Sequence, residues 1–159
     1  PLLPKSLSVM EIIRNDYNSL GYERIYSQVV LERDGQGSLI PDFFAQPIGE
    51  EWWDIIELKR PEPAVLVGKE DRKTLSAAIH STVSQLREYS AYFENEVYAK
   101  RIEDAYGIKC YKPNLISIIG TDPGELSTRE ARRAMTSYSD VKIVTLDKLL
   151  SVAKSRILI

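Results

Sequence analysis

Two acidic residues and a lysine in the first half of the chain have the types and spacing of a hydrolytic site. Asp42 precedes Glu57, and Lys59 follows Glu57 with one residue between them. A hairpin centred on Gly49 and Glu50 would place Asp42 directly opposite Glu57. Because the side chains of a strand alternate between its two faces, Lys59 falls on the same face as Glu57. The sequence therefore predicts that two carboxylates and one amine meet on one face of a sheet.

This acidic pair is suited to a hard divalent cation. Like charges that lie directly opposite repel each other, and a cation between them would remove that repulsion. Mg²⁺ is commonly held by one or two carboxylates together with water and phosphate oxygens, and Mn²⁺ is the alternative ion. Such an ion, a water molecule that it polarises and a lysine are the parts that phosphodiester hydrolysis needs. The alternative is that Asp42 is a turn residue and that Glu57 and Lys59 form a solvated strand face.

A second pair of polar residues lies on a long amphipathic helix. Gln85 and Tyr89 are four residues apart and therefore share one face. Both flank the apolar stripe to which Leu86 belongs, so they lie at the edge of the buried face. From there the Gln85 amide can orient Lys59 or a water molecule, while Tyr89 can bond a phosphate or pack. The alternative is that both are ordinary side chains at the edge of a core.

The elements that position these residues follow from hydrophobic periodicity, turn residues and capping signals. The first half predicts a helix over 9–20 with a capping box at Ser8–Glu11, strands over 23–32 and 39–45 joined by the turn Asp34–Gly37, and a central strand over 52–58. The second half predicts a helix with an apolar stripe from Leu75 to Val97 and a cap at Gly107, a strand over 115–120, a helix to 138 begun by a capping box at Ser127–Glu130, a strand over 141–146 and a helix from Asp147. This order predicts an α/β domain whose mixed central sheet, a three-strand meander plus two further strands, is flanked by helices.

Size and composition restrict the class of protein. The 159 residues suffice for one domain and are too few for two, so residues 1–159 are predicted to form a single domain. The net charge of −2 means that a polyanion has to be held by a local patch or a metal. The single histidine and single cysteine exclude His/Cys zinc sites and disulfide frameworks. Any bound metal is therefore expected to have oxygen ligands.

The sequence has no signal of membrane insertion. Its apolar runs are all shorter than the about 18 residues of a membrane span, and its first residues lack the pattern of a signal peptide. We therefore expect no membrane partner and a cytoplasmic location. The chain begins at Pro1, which we interpret as either a domain excised from a longer chain or a trimmed terminus.

Two groups of basic residues are candidates for phosphate contacts. We expect the first group, just beyond the central strand, to contact DNA, whereas solvated surface is the default for the second. The first group comprises Arg60, Lys69, Arg72 and Lys73, and the second comprises Arg129, Arg132 and Arg133.

Several other residues receive structural interpretations. His80 is expected to be a surface histidine, since it lies on a different helical face from the glutamine. Cys110 precedes a buried strand and is expected to be a small core residue. One ring of the pair Trp52 and Trp53 is predicted to pack inward, which leaves the other for stacking on a base or a neighbouring domain. Asp54 falls on the opposite strand face from the acidic pair and is excluded from the site.

The order and placement of the motifs resemble a known nuclease superfamily. Pro41-Asp42, Glu57-Leu58-Lys59 and Gln85-x-x-x-Tyr89 resemble the PD-(D/E)xK superfamily. More narrowly, the chain resembles the Shedu antiphage-defence nuclease domain through the strings Ile40-Pro41-Asp42-Phe43, Ile56-Glu57-Leu58-Lys59-Arg60-Pro61, Gln85-Leu86…Tyr89 and Lys112-Pro113…Ile118-Ile119-Gly120.

The resemblance implies a restriction-endonuclease-like core that cleaves DNA and leaves a 5′ phosphate. It implies that Asp42 and Glu57 are metal ligands, that Lys59 is the catalytic lysine and that Gln85 supports the site together with Tyr89.

Superfamily members often add an acidic residue from the first helix. The candidate is the capping-box residue Glu11, whose structural role competes. The resemblance also implies a separate N-terminal regulatory region, absent here. The oligomeric state is left open, because a domain of this size is either a monomer or part of a homo-oligomer formed through the parent chain.

Two alternatives from other classes stay open. The domain is either an inactive nuclease-fold module that binds DNA or a protein partner, or an oligomerisation scaffold that uses a sheet edge and the long helix. The first alternative predicts DNA binding without metal-dependent products, and the second predicts no response to Mg²⁺.

Overall fold

A mixed five-stranded sheet forms the centre of the fold. The computed structural model describes residues 13–14, 17–59, 65–68, 73–119 and 128–157. In chain order the elements are a 3₁₀ helix at Tyr17–Leu20, β1 (Tyr22–Ser27), β2 (Leu31–Arg33), β3 (Gln36–Leu39), β4 (Phe43–Pro47), β5 (Asp54–Leu58), β6 (Leu66–Val67), β7 (Thr74–Leu75), α1 (Ala77–Tyr92), α2 (Glu96–Tyr106), β8 (Leu115–Ile118), α3 (Arg129–Met135), β9 (Val141–Val144) and α4 (Leu146–Ile157).

The sheet has the strand order β1-β4-β5-β8-β9. β1, β4 and β5 are antiparallel to their neighbours, whereas β5, β8 and β9 run parallel. The change from antiparallel to parallel pairing occurs at β5, the middle strand. The predicted α/β class with a mixed sheet of three meander strands and two further strands is confirmed, although the meander is interrupted.

The interruption is a small separate hairpin between β1 and β4. β2 and β3 pair with each other around a turn in which Gly35 has φ of 72°. The predicted strand over 23–32 is therefore two strands, and the chain changes direction at Gln28, which has φ of 58°. A left-handed backbone conformation at a residue other than glycine breaks a strand ladder, and nothing in the alternation of side chains indicated it.

Two apolar cores lie on the two faces of the sheet. Ile55 belongs to the core beneath α1, which also contains Phe44, Val83 and Leu86. Ile56 belongs to the second core, on the face that Leu146 of α4 covers. The central strand is thus covered on both sides, as its continuous apolar run predicts.

The long predicted helix is divided in two. α1 ends at Tyr92, and α2 begins after Asn95, whose side chain accepts hydrogen bonds from the backbone N–H groups of Val97 and Tyr98. Val97 is 68% exposed, so the prediction that the apolar stripe continues to this residue is wrong. The predicted cap at Gly107 is confirmed, because this residue has φ of 72° and ends α2.

The remaining helices differ from prediction mainly at their ends. α3 has Thr128 as its N-cap, bonded to the backbone N–H of Ala131, and ends at Met135 rather than at 138. Most of the helix predicted over 9–20 lies outside the described residues, and its end is the 3₁₀ turn. None of the helices in the described ranges combines the length and apolar character that crossing a bilayer requires.

Candidate active site

Asp42 and Glu57 lie opposite each other at the edge of the β4–β5 ladder. Phe43 pairs with Ile56 and Phe44 with Ile55, which confirms the predicted register. One step further, the backbone N–H of Asp42 donates to Glu57 Oε2 at 3.3 Å. The backbone N–H of Leu58 donates to Asp42 Oδ2 at 2.8 Å. The two acidic side chains therefore continue the strand pairing by bonding to the backbone of the opposite strand.

The two carboxyl groups are partly removed from water and repel each other. Glu57 is only 4% exposed, whereas Asp42 is half-buried. Burial raises the pKa of Asp42, which the Leu58 N–H and the Lys59 charge partly offset. Burial also raises the pKa of Glu57, and the charge of Asp42 raises it further. Both groups would be more stable as carboxylates if additional positive charge lay between them.

Lys59 connects the acidic pair to α1. Its Nζ lies 3.4 Å from Glu57 Oε1 and donates to Gln85 Oε1 at 2.9 Å. Gln85 Nε2 in turn donates to the hydroxyl oxygen of Tyr89 at 2.7 Å. The side chain of Lys59 remains 34% exposed. The structure thus brings together the four predicted residues of the site, and their catalytic roles stay predictions.

Tyr89 is buried behind this chain of hydrogen bonds. It is 2% exposed, and burial raises the pKa of its hydroxyl, to which the negative charges of Glu57 and Asp42 add. Because its oxygen accepts from Gln85, its own O–H is available to the Glu57 carboxylate. The side chain is therefore placed to support the acidic pair, and a contact of Tyr89 with a substrate phosphate stays a prediction.

The donor set of the site fits a small hard cation. Asp42 and Glu57 offer carboxylate oxygens, the ligand type that Mg²⁺ prefers, and Mg²⁺ needs only one or two of them. Among the residues that the structure describes, no group of three or more His, Cys, Asp or Glu side chains converges. The third candidate ligand, Glu11, lies outside the described residues.

The basic residues predicted to contact phosphate are only partly described. Lys73 lies just before β7 and is partly exposed. The three other members of its group, Arg60, Lys69 and Arg72, lie outside the described residues. In the second group, Arg129, Arg132 and Arg133 of α3 are exposed.

The residues given structural interpretations lie away from the acidic pair. His80 is exposed, and its Nδ1 contacts the hydroxyl of Tyr138. Asp54 accepts a hydrogen bond from Asn114 Nδ2 at 3.0 Å. Cys110 is 3% exposed, and burial raises the pKa of its thiol. These contacts agree with their exclusion from the site.

The two tryptophans divide as predicted. Trp53 is 1% exposed, whereas Trp52 is 49% exposed with the Nζ of Lys109 over its ring. β5 begins only at Asp54, so both rings precede the central strand rather than opening it. Stacking of Trp52 on a base stays a prediction.

Sequence reasoning missed a buried serine next to the site. Ser117 of β8 is the parallel partner of Glu57 and is 0% exposed. It is the only polar residue in the apolar run from Leu115 to Ile119. An isolated hydroxyl inside a buried strand is the signal that could have found it.

The fold and the site define an α/β domain that joins an acidic pair, a lysine and a glutamine at the carboxyl end of its central strand. A family model described as Shedu protein SduA, C-terminal, matches residues 2–150, and the chain belongs to this family. No curated protein matches the sequence. The resemblance to the Shedu domain is therefore confirmed, whereas membership of the PD-(D/E)xK superfamily stays a prediction.

Proposed function

We propose that this domain is a metal-dependent deoxyribonuclease that acts in antiphage defence, with DNA as its substrate. Membership of the Shedu SduA family supports the role in defence. The observation that carries the proposed chemistry is the meeting of Asp42 and Glu57 across two strands, with Lys59 in contact with Glu57. The mixed sheet flanked by helices also supports a restriction-endonuclease-like core.

Asp42 and Glu57 would hold the divalent cation. The charge of each carboxylate raises the free energy of the other, and burial of Glu57 increases that effect. When bound, the cation supplies a Lewis acid for the phosphate and lowers the pKa of its water. The protein contributes the fixed position of Asp42, which the backbone N–H of Leu58 holds at 2.8 Å.

Lys59 would stabilise the negative charge that develops on the phosphate. An ammonium group has three N–H donors, and one of them bonds to Gln85. A second donor faces Glu57, and since the side chain is about one-third exposed, at 34%, the third is accessible to a phosphate oxygen. Preorganised donors of this kind are among the largest contributions to catalysis.

Gln85 and Tyr89 would keep the lysine in place. The Gln85 amide oxygen accepts from Lys59, and its amide nitrogen donates to Tyr89, so both ends of the amide are held. Tyr89 is fixed by burial in the core. The lysine consequently loses little freedom when a phosphate binds, which lowers the cost of reaching the transition state.

The overall reaction adds water across a phosphodiester. The water oxygen bonds to phosphorus, the bond to the 3′ oxygen breaks, and that oxygen takes up a proton. The products are a 5′ phosphate and a 3′ hydroxyl, as the superfamily resemblance implies. Basic residues after β5, among them Lys73, are the candidates for contacts with flanking phosphates.

A cleavage assay tests the proposal. Wild type is incubated with supercoiled circular and linear DNA, in Mg²⁺ or in EDTA, beside Lys59→Ala and Lys100→Ala. Lys100 is a matched control, because it is an exposed lysine paired with Asp104 on α2. We expect cutting in Mg²⁺ by wild type and Lys100→Ala, a loss of about a hundredfold or more for Lys59→Ala, and none in EDTA.

Two results would contradict this assignment. Cutting of equal rate by Lys59→Ala would remove the lysine from the mechanism, and cutting in EDTA would remove the metal. DNA binding without cutting would favour an inactive binding module, and no response to DNA or Mg²⁺ would favour a scaffold.

A further inference from the structure

Ser117 is a buried polar residue beside the acidic pair. It pairs in register with Glu57 in the parallel ladder between β5 and β8. Neighbouring strands lie about 4.8 Å apart, and partners in register point to the same face of the sheet. The Ser117 hydroxyl therefore lies on the same face as the Glu57 carboxylate, beneath α1.

The Ser117 hydroxyl has no hydrogen-bond partner among the described residues, although the residue is 0% exposed. Most buried hydroxyls in native proteins are bonded, and among the described residues Ser117 shares the unpaired state with Ser76 and Tyr92. Ser117 is the one of the three that pairs in register with a residue of the acidic pair. The hydroxyl of Thr82, buried on α1, illustrates the usual case, since it donates to the Ala78 carbonyl at 3.0 Å.

Glu57 is the acceptor that Ser117 lacks. Two of its contacts, at 3.3 Å to the Asp42 N–H and 3.4 Å to Lys59 Nζ, are long for bonds to a carboxylate, and the Tyr89 hydroxyl is a third donor to it. Charge-assisted hydrogen bonds are typically about 2.7–2.9 Å. A carboxylate also has about four acceptor positions, so it has room for a further donor. Glu57 therefore retains an acceptor position and lies opposite an unpaired hydroxyl in the ladder.

The backbone keeps this pair together. The N–H of Lys59 donates to the Ile118 carbonyl at 2.9 Å, which extends the β5–β8 pairing beyond Leu58. Ser117 is thus fixed relative to Glu57 on both sides along the strand.

We propose that Ser117 is a positioning residue that donates to the Glu57 carboxylate and fixes the orientation in which Glu57 binds the divalent cation. This inference rests on the proposed function and names a residue that tunes its metal site. Donors to ligating carboxylates are commonly worth about 10-fold to 100-fold in metal affinity. In the metal-free protein the unpaired hydroxyl lowers the stability of the fold. In the metal-bound protein its hydrogen bond to Glu57 raises the affinity for the cation.

The test measures metal binding and stability separately from activity. Mn²⁺ is titrated into wild type, Ser117→Ala and Asp42→Asn without DNA, with free Mn²⁺ followed by electron paramagnetic resonance. Thermal unfolding of the same proteins is recorded in EDTA. For Ser117→Ala we expect Mn²⁺ affinity to fall about tenfold and the midpoint in EDTA to rise by a few degrees.

An isosteric pair removes the effect of side-chain size. Ser117→Thr keeps the hydroxyl, whereas Ser117→Val has the same shape without it. We expect Ser117→Thr to bind Mn²⁺ more tightly than Ser117→Val by about the same tenfold. Equal affinity within this pair, or between wild type and Ser117→Ala, would overturn the inference. So would a lower EDTA midpoint for Ser117→Ala, because it would reveal a structural partner.

The inference and the proposed function fail in different ways. Wild type that binds Mn²⁺ and cuts DNA, with Ser117 variants that match it, defeats the inference alone. Wild type that neither binds Mn²⁺ nor cuts DNA defeats the proposed function and the inference with it.

Discussion

The acidic pair, Asp42 and Glu57, lowers the stability of the fold and is also the pair to which the proposed chemistry is assigned. Burial raises the pKa of both Asp42 and Glu57, and the charge of Asp42 raises the pKa of Glu57 further, so the charged pair destabilises the folded state without a compensating cation. The positive charge of Lys59, which contacts Glu57, offsets part of this destabilisation. Residues that weaken a fold locally are frequently those that function needs.

Neutralising Asp42 is therefore expected to stabilise the metal-free protein. In Asp42→Asn the amide oxygen still accepts from the Leu58 N–H, while the repulsion on Glu57 disappears. We predict that the free energy of unfolding in EDTA rises by up to about 1 kcal/mol, as measured by urea denaturation. Mg²⁺ should raise the stability of wild type and leave that of Asp42→Asn unchanged.

Asp140→Asn is the matched control for this prediction. Asp140 forms a two-bond ion pair with Arg87, and this contact lowers the pKa of the carboxyl group. Its neutralisation should therefore change stability in the opposite direction, by a small amount because the pair is exposed. A loss of stability in Asp42→Asn would contradict the view that the charged acidic pair destabilises the metal-free protein.

Gln85 is expected to act on catalysis and not on substrate binding. Gln85→Ala removes the hydrogen bond that holds Lys59, a charge-assisted bond worth about 1.5 kcal/mol, so we predict that kcat falls about tenfold while KM stays similar. Steady-state cleavage kinetics with an oligonucleotide duplex measure both constants. Gln46→Ala, which removes an exposed amide bonded to Arg24, is the control. An increase in KM alone would place Gln85 in DNA binding.

At the scale of elements, patterns that arise within one strand or helix were predictable, and breaks between them were not. The register of Asp42 against Glu57 followed from a turn and the period of two. The separate β2–β3 hairpin depends on the left-handed conformation of Gln28, which no side-chain pattern encodes. The start of α2 depends on the cap at Asn95, within a region whose sequence pattern is that of one continuous amphipathic helix.

That cap gives a prediction for α2. Asn95→Ala removes the acceptor for the backbone N–H groups of Val97 and Tyr98, so we expect a loss of about 1 kcal/mol in unfolding free energy. Asn95→Asp keeps an acceptor at the same position and should retain stability. Urea denaturation of the three proteins measures the difference. Equal stability of Asn95→Ala and wild type would mean that packing alone sets the division of the two helices.

At the scale of the whole molecule, the two cores enclose the sheet and leave the site at one end. Residues from β4, β5 and α1 meet there, so the site depends on the assembly of distant segments. The sequence identified the members of the site by type and spacing. It gave Lys59 as one of two possible partners of Gln85, and the structure has that contact. It did not predict the hydrogen bond from Gln85 to Tyr89, because this contact depends on how α1 sits on the sheet.

The reactivity of the single cysteine, Cys110, measures whether the core beneath α1 is closed. Cys110 is buried in the core beneath α1, and burial raises the pKa of its thiol. We predict that a thiol reagent such as dithionitrobenzoate reacts at least about a thousandfold more slowly with native protein than with protein in urea, because reaction requires opening of the core. Rapid reaction of native protein would show that this core opens locally.

The reciprocal bonds between acidic side chains and opposite backbone have a spectroscopic consequence. The amide nitrogens of Asp42 and Leu58 each touch one of the two carboxylates. Any ion that draws those oxygens toward itself must perturb both amides, even before a nucleic acid arrives. The chemical shifts of these two amides in a nitrogen–proton correlation spectrum should therefore change when a cation binds. This change can be measured without any cleavage of DNA.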